Sequence, residues 1–192
     1  MMSRVANNTN NDAITADDVL SFWFEQIEPS KWWVKDLQLD VQIKQRFLTV
    51  HQRAKQCELF DWRHSAKGRL AEIIILDQFS RNMFRDSADA FSSDPLALVL
   101  AQEAIALGVE NELTAVERCF LFMPFMHSES LKIHDVAITL FEGNGIQYNL
   151  DFEILHRDII AKFGRYPHRN SILQRQSTAE EIVFLTQPNS SF

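Results

Sequence analysis

Amphipathic segments with helical spacing constrain the fold of this chain more than any other feature. In the longest of them the apolar residues recur at every third or fourth position, as Leu39, Ile43, Phe47, Val50, Ala54 and Cys57. In an α-helix this spacing places the residues on one face, which is buried against the rest of the protein. The segment therefore predicts a long helix that covers an apolar core.

Helix-start and helix-stop signals divide the rest of the chain into similar segments. Thr114 and Glu117 form a capping box, Asp94 followed by Pro95 predicts an N-cap with a first-turn proline, and Gly108 marks a helix end. We predict eight helices, which contain VLSFWF, residues 39–57, GRLAEIIILDQF, LALVLAQEAIALG, VERCFLFM, LKIHDVAITLF, residues 152–163 and a last segment that begins at Ser177 or Thr178.

The same pattern argues against a β fold. Five glycines and five prolines are too few for the many turns of such a fold. Ile73, Ile74 and Ile75 would also suit a buried strand, but helix-forming residues flank them and no segment predicts a partner strand. We therefore predict an all-α domain in which antiparallel helix pairs are stacked in series.

Length and composition favour one globular domain. A chain of 192 residues, 46% of them hydrophobic, is long enough to bury a core without disulfides or metals. Residues 1–13 are polar and rich in asparagine, so we predict a disordered leader there. A single helical domain is predicted over residues 14–187, and a tail over residues 188–192.

Charge and cysteine usage limit the class of protein. The net charge of −7 disfavours nucleic-acid binding, which depends on Lys and Arg contacts to phosphates. No segment reaches the roughly 20 apolar residues of a membrane helix, and the first residues lack a secretory signal. Two cysteines without CxxC spacing favour free thiols in a reducing compartment. We predict a cytoplasmic protein that binds neither nucleic acid nor membranes.

The segment FGRYPHRNSILQRQST concentrates positive charge in an acidic chain. It holds three arginines and a histidine but no carboxylate. Arginine offers a planar set of N–H donors that suits carboxylates and phosphates. Two interpretations stay open. Either Arg81, Arg165 and Arg169 bond helix-end carbonyls and pair with carboxylates such as Asp77 or Glu129, or several of them converge on one anionic ligand.

The segment MPFMHSES places polar residues between two apolar runs. Because Pro124 removes a helix hydrogen bond, we predict His127, Ser128 and Glu129 in a kink or loop. In one interpretation Ser128 or Ser130 caps the next helix, with Glu129 near its positive N-terminus. In the other, His127 is a general acid or base, because the pKa of histidine lies near neutrality.

Two further polar residues are predicted to border the core. Asp77 follows EIIIL, and a buried carboxylate requires a cationic partner such as Arg81 or Arg169. His156 lies on an apolar helix face, where a hydrogen-bonded core histidine is the usual explanation.

Metal and cofactor motifs are not found in the sequence. None of the six histidines forms an HExxH motif, and the sequence holds no Walker loop, dinucleotide fingerprint or G-x-S-x-G motif. We predict neither a metal nor a cofactor. A metal-dependent hydrolase stays an alternative, and it would need three of four residues to converge: His127, Glu129, His156 and His168.

Several motifs together resemble one known family. They are VLSFWF with KWW, ILDQFSRNMFR, AFSSDPLALVLA, ERCFLFMPFMHSE, FGRYPHRNSIL and RQSTAEEIVFL. In this order, from about Val19 to Leu185, they resemble bacterial protein-of-unknown-function family 924. The resemblance implies an all-α, tetratricopeptide-like helical fold and supplies no activity. This chain has Ser80 where the family pattern predicts proline, and Gln174 where it predicts glycine.

The positions that match the family's polar motifs form the predicted site. The candidate catalytic residues are His127 and Glu129, and the candidate ligand-binding residues are Asp77, Gln78, Arg81, Asn82, Ser128, Arg165, His168, Arg169 and Asn170. We hypothesise a pocket for a small anionic ligand, with Arg81 and Arg169 as clamps and His127 as proton donor or acceptor. The alternative is a module that binds a peptide or protein partner, with the same residues in structural roles.

Overall fold

The chain folds into α-helices at the positions where the sequence predicts them. The computed structural model describes residues 14–188 and 190–191, so the predicted leader, residues 1–13, lies outside the described residues. The α-helices are α1 Ala16–Ser21, α2 Leu37–Lys55, α3 Ala66–Ile74, α4 Ser80–Met83, α5 Asp94–Ala106, α6 Ala115–Met126, α7 Leu131–Asn144, α8 Gln147–Phe163 and α9 Ala179–Phe184.

Two of these helices continue through π turns, in which the backbone hydrogen bonds span five residues instead of four. One turn, Phe22–Gln26, extends α1, and the other, Ile75–Phe79, joins α3 to α4 without a break. When α3 and α4 are counted as one helix, the described residues contain the eight predicted helices. The all-α class is confirmed, and residues 14–188 and 190–191 contain no strand. The tetratricopeptide-like superhelix stays a prediction.

Side-chain caps explain where several helices begin. The Thr114–Glu117 capping box is present at α6, and Thr178 with Glu181 forms another at α9. At α5 the predicted cap is wrong by one residue. Ser93 occupies the N-cap position without a side-chain hydrogen bond, and Asp94 is the first helical residue. The carboxylate of Asp94 is therefore available to bond other side chains.

Pro124 does not end α6, contrary to the prediction. The helix continues through the proline to Met126, and His127 is its C-terminal cap. The loop of polar residues predicted around His127 therefore exists, but it begins at His127, three residues after the proline. Ser130 precedes α7 in the N-cap position, again without a side-chain hydrogen bond.

The core is built around α3 and its π turn. Ile73, Ile74 and Ile75 are all fully buried in this helix, so the strand alternative for them is wrong. The helix packs against α1, α5 and α6. No helix among the residues that the structure describes is both long and apolar enough to cross a membrane.

A smaller apolar cluster supports the chain after α8. Ile159 and Ile160 pack against Tyr166 there, and Phe163 and Phe184 cover them. The cluster holds the short 3-10 turn Pro167–Arg169 against the body of the protein. The arginine-rich segment is thus anchored on both sides, by α8 before it and α9 after it.

Candidate functional site

Three of the predicted polar segments meet at one place. Asp77 comes from the π turn, His127 from the end of α6, and Arg169 from the 3-10 turn after α8. His127 Nδ1 lies 2.7 Å from Asp77 Oδ1, and Arg81 Nη1 lies 3.1 Å from the same oxygen. Arg169 joins the cluster through Asp94, which it shares with Arg81. These residues form the candidate site.

Asp77 is a fully buried carboxylate at the centre of the site. Its Oδ2 accepts a hydrogen bond of 2.6 Å from Gln78 Nε2. Burial alone would raise the pKa of Asp77, but Arg81 and His127 outweigh it and lower the pKa to about 2. Asp77 is therefore ionised at neutral pH, and Nδ1 of His127 donates to it.

The π turn determines which way Asp77 faces. Turns of this kind are rare and occur frequently at functional sites. Ser80 ends the turn, and its hydroxyl donates to Leu76 O at 2.6 Å. The same hydroxyl oxygen lies 2.8 Å from His51 Nε2. The serine that stands where the family pattern predicts proline thus bonds the backbone of the turn and a buried histidine.

His127 presents a proton acceptor at the edge of the cluster. Its side chain is 14% exposed. Burial and the charge of Arg81 lower its pKa, so the ring is neutral at neutral pH. Because Nδ1 carries the hydrogen that Asp77 accepts, Nε2 has a free lone pair. No hydrogen bond within the described part of the chain engages Nε2, so it can accept one from a ligand.

Arg81, the first predicted clamp, is committed to the protein's own carboxylates. It donates to both oxygens of Asp94 at 3.0 Å and to the backbone carbonyl of Asp77 at 2.8 Å. Both terminal nitrogens are engaged, so we interpret Arg81 as a structural residue of the site. Asp94 was predicted only as a helix cap, so its role as a partner of Arg81 was missed. The available signal was that Asp94, 13 positions after Arg81, is the one acidic residue of the motif AFSSDPLALVLA.

Arg169, the second predicted clamp, is held less completely. It is 6% exposed, and its guanidinium lies between Phe91 and Tyr166, 4.6 and 4.4 Å from their ring centroids. Nη1 donates to Asp94 Oδ2 over 3.4 Å, and Nε has no hydrogen-bond partner among the described residues. Burial and the neighbouring charge of Arg81 lower its pKa. The protonated guanidinium is thus poorly compensated.

Glu129 belongs to a structural contact beside the site. Both of its oxygens accept from Arg175, at 2.6 and 2.9 Å, and one accepts from the backbone N–H of Tyr166 at 2.7 Å. Burial would raise its pKa, but the hydrogen bonds from Arg175 lower it. The carboxylate faces these donors and does not cap α7, so the structure gives no support to the predicted catalytic role.

Four other predicted residues contact different partners. Asn82 bonds Asp40 on α2, and Arg165 forms a bidentate pair with Glu181. Asn170 bonds Ser177 and Arg175, which stiffens the loop behind the site. The backbone carbonyl of Ser128 accepts a hydrogen bond from His134 Nε2.

Burial lowers the pKa of both remaining histidines of the metal alternative, His156 and His168. Burial and the charge of Arg169 lower the pKa of His168 to about 4. His156 Nδ1 donates to Phe152 O at 2.7 Å, which agrees with its prediction as a core histidine. Among residues 14–188 and 190–191, no three His, Cys, Asp or Glu side chains lie close enough to hold a metal ion. The described residues therefore do not supply the metal ligands that a metal-dependent hydrolase would need.

The charges of the cluster balance. Arg81 and Arg169 face Asp77 and Asp94, so two cations meet two carboxylates. Within the described residues no hydrogen bond engages His127 Nε2, and the buried N–H of Arg169 Nε has no partner. The arrangement is therefore able to accept one hydrogen bond and to donate another.

Two surface cavities lie away from this cluster. One, of about 290 Å³, lies between α7 and α8 and is lined by Ile138, Ile154 and the Asp135–Arg157 pair. The other, of about 260 Å³, lies beside the start of α2, near Phe22 and Leu39. Neither is lined by residues of the candidate site.

Comparisons with known proteins agree with the fold and leave the function open. No curated protein matches the chain. A solved structure, a protein of unknown function called ATU0120 from Agrobacterium tumefaciens, is 39% identical in sequence, with a TM-score of 0.84. The alignment covers 88% of this chain and 96% of that one. The family model described as bacterial protein of unknown function, DUF924, matches residues 19–189. The chain therefore belongs to the DUF924 family.

Proposed function

We propose that the protein binds a small anionic ligand at the cluster of Asp77, Arg81, Asp94, His127 and Arg169. The observation that carries the proposal is the buried N–H of Arg169 Nε, which has no partner among the described residues. An unpaired buried donor costs about 1–3 kcal/mol, so a ligand oxygen that accepts its hydrogen would stabilise the protein. The charge of Arg169 makes that oxygen an anionic one.

Electrostatics around Arg169 supports an anion in particular. Its only carboxylate partner within the described residues is Asp94, over 3.4 Å, and Arg81 already holds both oxygens of that carboxylate. An anion on Arg169 would offset the burial of the guanidinium and the repulsion from Arg81. Because the surroundings of Arg169 are closely packed, the group that reaches Nε has to be small, such as a phosphate or carboxylate.

His127 gives the ligand a second recognition point. Its neutral ring accepts a hydrogen bond through Nε2, while Asp77 fixes the opposite nitrogen. A ligand with both an anionic oxygen and an O–H group matches these two protein groups. An Asp–His pair of this kind is also able to take a proton from such a hydroxyl. Anion binding does not depend on that proton transfer.

Thermal shift with defined anions tests the proposal. The probes are inorganic phosphate, glycerol phosphate and succinate, with chloride at matched ionic strength as reference. At 100 times its dissociation constant a ligand adds about 2.7 kcal/mol of stability, which raises the Tm by several degrees. We expect this rise for at least one probe in the wild type and its loss in Arg169→Lys, which keeps the charge and removes Nε–H.

Arg165→Lys is the matched control. It makes the same change in the same segment, but Arg165 pairs with Glu181 outside the cluster. The shift should persist in this variant. Equal loss in both lysine variants, or no anion-specific rise in the wild type, would contradict the proposal.

A peptide- or protein-interaction module is the second candidate, and one observation favours it. Arg81 bonds both Asp77 and Asp94 and uses both of its terminal nitrogens to do so, as expected of a structural residue. In this case Arg169→Lys would lower the free energy of unfolding while no anion raised the Tm. That pair of results would make the cluster a structural contact and direct the search toward a macromolecular partner.

A further inference from the structure

His134 and Glu153 form a fully buried pair behind the candidate site. His134 lies on α7 and Glu153 on α8, and Nδ1 is 2.6 Å from Oε1. Neither side chain has any exposed surface. Burying two such groups is costly unless their remaining atoms are also hydrogen-bonded. Glu153 Oε2 has no partner among the described residues, so the bonds of His134 indicate what the pair does.

The hydrogen bonds of His134 define its tautomer. Nε2 lies 2.9 Å from the backbone carbonyl of Ser128, and because a carbonyl only accepts, Nε2 carries a hydrogen. The same N–H faces the hydroxyl oxygen of Tyr166 at 3.1 Å. The tyrosine's own hydrogen goes to the backbone carbonyl of Met126 at 2.5 Å. Glu153 bonds the other nitrogen, Nδ1, and so keeps the ring in this orientation.

These bonds fix the backbone on both sides of His127. Met126 and Ser128 are its two neighbours in the chain, and their carbonyls accept from Tyr166 and His134. Tyr166 also packs its ring against the guanidinium of Arg169, 4.4 Å from the ring centroid. The buried ring of His134 thus contacts the Ser128 carbonyl and the Tyr166 hydroxyl. Through these two contacts it helps to hold His127 and Arg169, the two groups proposed to bind the ligand.

We propose that His134 is a positioning residue of the anion site. It acts through the Ser128 carbonyl and the Tyr166 hydroxyl to place His127 and Arg169, and Glu153 fixes its tautomer. The inference rests on the proposed function, because positioning His127 and Arg169 matters only if they bind a ligand. The contacts of His134 themselves involve no ligand. His134 touches neither the ligand position nor Asp77, so it is not a catalytic residue.

Few charged or titratable groups face His134 and His127. Burial raises the pKa of Glu153, with Arg157 as a weaker influence that lowers it. Tyr166, buried against His134, has its pKa raised by the same cause. His127 faces Asp77, Arg81 and Asp94. The rings of His134 and His127 share no hydrogen bond, so a change at His134 reaches His127 through the Ser128 carbonyl and the Tyr166 hydroxyl.

Histidine titration by NMR tests the inference without a ligand. The ring signals of His127 are assigned by comparison with His127→Asn, and its pKa is measured in wild type and variants. We expect the pKa of His127 to rise toward the ordinary value of 6.5 in His134→Phe, because a released loop exposes the ring to water. Tyr166→Phe, which removes one oxygen, should shift it in the same direction.

Two further variants separate positioning from general destabilisation. Phe141→Leu weakens the core at another buried residue of α7 and should leave the pKa of His127 unchanged. Glu153→Gln should also leave it unchanged, because a glutamine N–H is able to donate to Nδ1 and keep the Nε2 tautomer. An unshifted pKa of His127 in both His134→Phe and Tyr166→Phe, or an equal shift in Phe141→Leu, would overturn the inference. Absence of anion binding alone would contradict the proposed function and leave this result standing.

Discussion

Asp77 Oδ1 lies 2.7 Å from His127 Nδ1, although fifty positions separate the two residues in the chain. The contact joins the π turn after α3 to the end of α6. Asp77 accepts the hydrogen of His127 Nδ1 in this contact, and His127 Nε2 stays available for another hydrogen bond. Because Asp77 also bonds Arg81 and Gln78, its loss would affect every group around it.

Asp77→Asn should lower the free energy of unfolding by about 3–5 kcal/mol, the usual cost of removing one partner of a buried ion pair. Arg81 would keep a buried charge with less compensation. Asp135→Asn is the control, since Asp135 pairs with Arg157 at the surface, where such pairs contribute about 0–1 kcal/mol. Urea unfolding of both variants measures the difference. Similar losses in the two variants would mean that the Asp77 contacts are weak.

Stability should fall as the pH falls below about 6.5, and His51 is one cause. Burial lowers the pKa of His51 from 6.5 to about 4. The unfolded chain therefore takes up this proton between pH 6.5 and pH 4 while the folded protein does not. In that interval one such group lowers the free energy of unfolding by about 1.4 kcal/mol for each pH unit.

His51→Gln should reduce the pH slope of stability, and urea unfolding at pH 4.5, 5.5, 6.5 and 7.5 measures it. Nε2 of His51 bonds Ser80, while Nδ1 is buried without a partner in the described residues, so a second proton would have no acceptor. His64→Gln is the matched control because that ring is exposed in the folded protein. Identical slopes in wild type and His51→Gln would contradict this explanation.

Gln174→Gly should stabilise the protein by up to about 1 kcal/mol. Gln174 has a φ of 55°, in the left-handed region, which costs an ordinary L-residue about 1 kcal/mol or more. The family pattern predicts glycine at this position, and the backbone shows why. Gln174→Val, with a β-branched side chain, should have the opposite effect. Thermal unfolding of the two variants checks the order, and a stabilised valine variant would rule out backbone strain.

The Glu129–Arg175 pair should show a larger coupling energy than a surface pair. Its side chains are about one quarter exposed, and the contact is bidentate. We expect about 1–2 kcal/mol from a double-mutant cycle with Gln at both positions. The Lys162–Glu180 pair, which is mostly exposed, should give about 0.5 kcal/mol or less. Equal couplings would show that burial adds nothing to the first pair.

Local sequence signals predicted the helices because the physical causes are local. Apolar spacing along α2 and the capping box at α6 act within a few residues, and both are present in the structure. Pro124 misled the prediction because tertiary burial holds α6 together through the proline. The π turn at Ile75–Phe79 had no recognised signal, although the three isoleucines and the polar pair Asp77-Gln78 mark its position.

The candidate site was predicted less completely because its contacts join distant segments. Asp77, His127 and Arg169 were all named from the sequence, but their convergence depends on how the helices pack. Asp94 was missed because a capping role already explained it. The partner of Glu129, Arg175, was missed because nothing local distinguishes it from the other arginines of its segment.

The π turn has a consequence for the length of the helix that contains it. A π turn accommodates one residue more than an α-helical turn, so removing one residue between Ile75 and Phe79 would leave a helix that is locally more regular. It would also rotate everything that follows by about 100° around the helix axis. Asp77 and Arg81 would then no longer face the same neighbours. The surplus residue, rather than any one side chain, sets the register on which the whole polar cluster depends.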